Sequence, residues 1–133
     1  MIISIAIHRG TLAVVTYDGA EVTCIKTLAM NRTTWPDLWN TLFGYAAGRA
    51  RQNGGKVGKV VLYQNGGDIS ETERMFGLLT GVAGEFNCPL ERAHCDDEDE
   101  ARAWRMLPGG EDTAVALALG AAMKVINRKE DEK

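Results

Sequence analysis

The first 28 residues leave the chain the least freedom. Ile2 to Ile7 (IISIAI) is an isoleucine-rich apolar run, His8-Arg9-Gly10 breaks it, and Thr11 to Tyr17 (TLAVVTY) is a second run. Both are too short for helices and rich in β-branched residues, so both read as buried strands. Asp18-Gly19 is the next break, because glycine accepts the positive φ that a tight turn needs. Glu21 to Leu28 (EVTCIKTL) alternates polar and apolar, the pattern of a half-exposed strand. Three strands joined by two tight turns make an antiparallel meander, and the rest of the chain must cover it.

A helix is expected next. Thr34 stands as its cap, Pro36 in its first turn and Asp37 three residues after Thr34, while Trp35, Leu38, Trp39, Leu42, Phe43 and Ala46 share one face. Asn53-Gly54-Gly55 ends it, and Val57 to Tyr63 (VGKVVLY) reads as a fourth strand. After Asn65-Gly66-Gly67, Ser70 and Glu73 mark a capping box. The helix behind it carries Met75, Phe76, Leu78, Leu79 and Val82 and stops near Asn87-Cys88-Pro89. Leu90 to His94 is a short fifth strand, Asp97 to Leu107 a short helix, and Glu111 to Ile126 a final helix dense in alanine, leucine and valine. A strand reached through a helical crossover pairs in parallel, so Val57 to Tyr63 is expected beside the first strand and parallel to it. The predicted architecture is an α/β domain over residues 1–127, a mixed sheet with helices on both faces, followed by a charged tail, 128–133, that frays.

Composition narrows the function. The net charge of −3 counts against a dedicated nucleic-acid binder, although a local basic patch can act within an acidic chain. Three cysteines at irregular spacing are no disulfide framework and favour a reducing, cytoplasmic setting. The opening MIISIAIHRG lacks the basic stretch of a signal peptide, and no apolar segment approaches the ~20 residues of a membrane helix.

The element order resembles the ribonuclease H-like fold, and within it the small RuvC-like Holliday junction resolvases. Three stretches carry the resemblance: Ile2 to Val15 (IISIAIHRGTLAVV), Lys59 to Gln64 (KVVLYQ) and Glu111 to Met123 (EDTAVALALGAAM). The resemblance implies carboxylates that hold two metal ions, Mg2+ or Mn2+, across a phosphodiester. The family's first aspartate falls on His8, and its strand-four glutamate on Tyr63, or on Gln64 if the register slips by one. The paired acids of its last helix fall on Asp112 and Val115, so only Asp112, with Glu111 beside it, keeps a carboxylate. The resemblance thus implies a degenerate metal site, with no cofactor expected. His8, Glu111 and Asp112 are the catalytic candidates, and Asp112 the metal ligand, only if a divergent nuclease survives. RuvC-like proteins are dimers, and the apolar stretch Ala114 to Ala122 also predicts a helix buried either in the core or against a second copy.

Other constellations compete with blander readings. His8 also reads as a polar turn residue. Cys88, His94 and Cys95 suggest zinc but lack a paired C-x-x-C knuckle. Asp96 to Glu100 (DDEDE) lacks the glycine and alternating ligands of a calcium loop and suits a helix N-terminus. The Gly-Gly pairs match no phosphate-binding loop. Arg49, Arg51, Lys56 and Lys59, with Arg9 and Arg32 as further candidates, are the nucleic-acid-binding candidates. Trp35, Trp39 and Tyr45 are base-stacking candidates whose helical spacing favours core or interface. The leading expectation is a non-catalytic module that binds a protein partner or nucleic acid, in a phage or mobile-element setting. A divergent resolvase and a structural self-assembling protein are the alternatives. A homodimer is expected and a membrane is not.

Overall fold

The computed structural model describes every residue except 32–34, 53, 55, 65–68, 132 and 133, and omits the side chains of 69–72 and 127–131. The meander is β1 (Ile2–His8), β2 (Thr11–Tyr17) and β3 (Val22–Ala29). Arg9 and Gly10 close its first turn with φ of 49° and 78°, the two left-handed residues that match the twist of a tight hairpin. The second turn is broader. The Asp18 carboxylate accepts the backbone N–H groups of Ala20 and Glu21, both at 2.8 Å, and Gly19 takes φ of 104°. These N–H groups hold the Asp18 carboxyl below the usual aspartate range.

A 3-10 turn, Trp35–Asp37, leads into α1 (Leu38–Gln52), so the α-helix starts after Pro36 and not around it. The expected cap, Thr34, lies outside the described residues. β4 (Lys59–Tyr63) begins two residues later than the sequence suggested. α2 (Ile69–Glu85) already includes Ser70, and Glu73 is paired with Arg92 at 2.9 Å, so the predicted capping box does not mark the start. Asn87 ends α2 in the left-handed region (φ 52°), with the Cys88 N–H returning to the Ala83 carbonyl. β5 (Leu90–Ala93), α3 (Asp97–Met106) and α4 (Thr113–Asp131) complete the chain. α4 therefore continues into the charged segment beyond Ile126.

The sheet order is β3-β2-β1-β4-β5. β4 lies beside β1 in parallel, with Ile2 opposite Lys59 and Ile5 opposite Leu62, as expected. Alternation along the strands divides the interior in two. Ile3, Ile5, Leu12, Val14, Val60 and Leu62 face α1 and α2. Ala6, Ala13, Val15, Val61 and Ala93 face α3 and α4. Every residue from Ala114 to Ala122 is buried within the chain itself. The apolar character of α4 is thus satisfied by its own sheet and by α3, and not by a second copy. Among the described residues no helix is long and apolar enough to cross a membrane.

Candidate functional site

One hydrogen bond and one close approach orient α4. The Ser4 hydroxyl donates to the Ala118 carbonyl at 2.6 Å, and a Cβ on Gly19 would lie 3.8 Å from Ile126 Cδ1. Gly19 sits in the β2–β3 turn, at the end of the sheet where Ile2 pairs with Tyr17. α4 therefore runs antiparallel to β1, and its N-terminus comes to the end where β1 finishes. Helical rise puts Asp112 about 9 Å from the level of Ala118, while strand rise puts His8 about 13 Å from Ser4. Ser4 and Ala6 face α4, so by alternation His8 does too. Tyr63, one step past the Ile5–Leu62 pair, is on the same face. The fold thus gathers His8, Tyr63, Asp112 and Val115 at one end and one face of the sheet.

Their environments differ. Tyr63 is 8% exposed and Val115 0%, both within the apolar cluster under α4. Asp112 is exposed, and its carboxylate accepts the Ala114 N–H at 2.9 Å while its carbonyl accepts that of Val115. That is the geometry of an N-cap. Gln64 follows the strand; its N–H donates to the Ala93 carbonyl and its buried Oε1 has no hydrogen-bond partner among the described residues. Among the described residues no three His, Cys, Asp or Glu side chains form a group able to hold a metal ion. The described donors around Asp112 therefore do not fit the two-ion site that the resemblance implies.

The basic cluster is divided by the sheet. Arg49 and Arg51 occupy the last turn of α1, where the helix dipole favours cations. Lys59 projects to the opposite face, with Ile2 and Val61, and pairs with Glu91 at 2.7 Å. Lys56 is exposed. Arg9 lies in the β1–β2 turn, at the far end of the sheet, and Arg32 is outside the described residues. Spacing in the sequence could not separate Lys59 from the rest; strand alternation does.

The remaining candidates also resolve. Asp96 caps α3 in a reciprocal box with Asp99, and Asp97, Glu98 and Glu100 fill the first turn, as the acidic run suggested. Lys124 of α4 then binds Asp96 and Asp99 at 3.5 and 3.3 Å. Cys88 packs against the α1–α2 cluster and Cys95 against the α3–α4 cluster, so the sheet separates the two thiols. Burial, followed by the charges of Asp99 and Glu100, pushes the Cys95 thiol up to about 12. Trp39 is 37% exposed and stacks on Phe43 with centroids 5.0 Å apart, so it forms the rim of the α1–α2 layer and not its core. Trp35 lies under Arg74, and the Tyr45 hydroxyl is 2.7 Å from that of Thr16.

A five-stranded mixed sheet in this order, with a long helix across its meander, defines the ribonuclease H-like class. Solved structures similar to the chain include Thermus thermophilus RuvC in complex with Holliday junction substrate, at 12% identity and TM-score 0.59, covering 95% of each chain. A Thermus thermophilus RuvC structure matches at 11% identity and TM-score 0.59, covering 96% of each chain. No family model and no curated protein matches the sequence. The expected fold and the likeness to RuvC resolvases are borne out, and at this identity the likeness is one of fold.

Proposed function

We propose that this chain is a non-catalytic ribonuclease H-like module that uses a resolvase-type scaffold for binding, to nucleic acid or a protein partner. One observation carries the reading. Where the resemblance calls for metal-holding acids, Tyr63 and Val115 are buried in the apolar cluster and Asp112 caps its own helix. Two ions across a phosphodiester need several bridging carboxylates, and among the described residues at the matched positions only Asp112, with Glu111 beside it, keeps one. The binding half of the proposal draws on the similar structure titled as a complex with Holliday junction substrate, and on Arg49, Arg51 and Lys56 at the α1–β4 junction.

The test has two parts. Purified protein with magnesium or manganese is expected to leave four-way junctions, single strands and RNA–DNA hybrids intact. Robust cleavage abolished by Asp112→Asn would instead establish a divergent nuclease, in which His8, Glu111 and Asp112 are the catalytic candidates. A salt titration of fluorescent duplex, junction and single-stranded DNA then measures binding. Each phosphate contact made by Arg51 or Lys56 steepens the salt dependence by about one unit, and Arg51→Ala should flatten it accordingly. No binding even at low salt would remove the nucleic-acid branch and leave a protein partner.

A further inference from the structure

Arg49 is placed unlike its basic neighbours. Arg51 is exposed, whereas Arg49 is half-buried and its buried Nε has no hydrogen-bond partner among the described residues. No carboxylate is paired with it among the described residues. Its guanidinium carbon lies 5.7 Å from the centroid of the Tyr45 ring, one turn back on α1. Tyr45 is tied through its hydroxyl to Thr16 on β2, so the support under Arg49 is anchored to the sheet. The C-terminal dipole of α1 favours a cation here, but it leaves the Nε hydrogen without an acceptor. Leaving a buried charged donor unsatisfied is costly.

Arg49 lines a cleft of about 180 Å³ together with Met1, Thr23 and Gln52. That is room for one small anion or roughly six waters. Thr23 is there because of a β-bulge. The β2–β3 register steps from Tyr17–Val22 to Thr16–Cys24, which leaves Thr23 as the extra residue. Bulges re-aim side chains, and the Thr23 hydroxyl makes only a long 3.4 Å bond to the Thr16 carbonyl. Guanidinium, side-chain amide and hydroxyl can all donate, and no carboxylate lines the cleft among the described residues.

We propose that this cleft is a binding site for a phosphate-class oxyanion, held by Arg49 with Gln52 and Thr23 completing the donor set. Donors from both α1 and β3 suit a tetrahedral anion with oxygens in several directions. The cleft lies at the opposite end of the sheet from His8 and Asp112, so it stands whether or not the chain cleaves nucleic acid.

The experiment is an amide NMR titration at constant ionic strength, exchanging chloride for inorganic phosphate. Saturable shifts are expected at Thr23 and at Arg49 to Gln52. Arg49→Gln should weaken them at least about tenfold, the loss of one charge-assisted hydrogen bond. Gln52 is exposed, so Gln52→Glu should fold normally and abolish the shifts by pairing its carboxylate with Arg49. A second arm uses unphosphorylated single-stranded DNA at equal phosphate concentration. Shifts at the same amides, lost in Gln52→Glu, assign the site to a backbone phosphodiester; shifts with inorganic phosphate alone assign it to a free anion. No shift at Thr23 and Arg49 with either probe, or shifts unchanged by Gln52→Glu, would overturn the proposal.

Discussion

The two faces of the sheet are covered by unlike layers. Under α4 three strand positions are alanines: Ala6, Ala13 and Ala93, beside Val15, Val61 and Tyr63, meet a helix buried all round from Ala114 to Ala122. The helix backbone comes close enough for a strand serine to reach the Ala118 carbonyl. Under α1 and α2 the residues are large, and the layer ends in an aromatic rim of Trp39, Phe43 and Phe86 that is open to solvent. Small residues permit close approach but leave no slack. Large side chains at a rim can turn aside. The α4 layer should therefore be the rigid one and the α1–α2 layer the tolerant one.

The sharpest contrast is in truncation. Leu119 is fully buried, and Leu119→Ala should cost about 3 kcal/mol by urea denaturation. Trp39→Ala, at the exposed rim, should cost about 1 kcal/mol despite removing more atoms. Equal losses would break the distinction.

The glycines test the opposite change. A Cβ on Gly120 would overlap Cys95 Sγ and lie 3.2 Å from the Asp99 carbonyl oxygen. Gly120→Ala should lose about 2 kcal/mol despite its better helix propensity. On the other layer, a Cβ on Gly81 would meet the Trp39 indole nitrogen at 2.9 Å, the far end of a half-exposed side chain that can swing away. Gly81→Ala is expected to be neutral or to gain up to about 1 kcal/mol. A destabilised Gly81→Ala would mean that the rim is as rigid as the core.

The cap of α4 gives a smaller effect. Asp112→Ala should cost about 1 kcal/mol and Asp112→Asn close to nothing, since asparagine caps equally well. This makes Asp112→Asn a clean probe of cleavage, because it removes charge without loosening the helix.

The smallest effect is the pH dependence of the α3–α4 tie. The Asp99 N–H, with help from Lys124, holds the Asp96 carboxyl below its ordinary 3.8. Its contribution is present above 3.8 and lost as pH falls through the lower folded value. Partial burial pulls Lys124 down, but the hydrogen bond and charge of Asp99 outweigh it and raise the ammonium above its ordinary 10.5. That contribution is full below 10.5 and lost as pH rises through the folded value. Cys95 adds a loss as pH climbs from its ordinary 9.0 towards about 12. The urea midpoint should therefore be flat between about pH 4 and 9 and fall on both sides. Lys124→Gln should reduce the acid limb, and an unchanged limb would show that the tie contributes nothing.

Much of the fold was legible because its signals are local. Alternation in Val22–Ala29 and the Asp18-Gly19 break follow from patterns a few residues long, and the parallel return of Lys59–Tyr63 follows from the helical crossover that precedes it. The run Asp96 to Glu100 likewise declared a helix N-terminus. Errors fell where local signals competed: Pro36 became part of a 3-10 turn, and Ser70 lay inside α2. The candidate site divides the same way. The fold gathers His8, Tyr63, Asp112 and Val115, four positions that the resemblance had matched in the sequence, at one end of the sheet.

What the sequence determined by itself was the order of elements, their approximate bounds and which residue types reach the end of β1. The tertiary structure decided what each of those residues faces. It sent Lys59 to Glu91 and away from Arg49, enclosed α4 within its own chain, and opened the cleft beside Arg49 through a one-residue bulge at Thr23. Each outcome depends on which of two faces a side chain takes, or on contacts between residues far apart in the chain. A strand's period of two means that a single residue of register reverses the first, and no local pattern encodes the second.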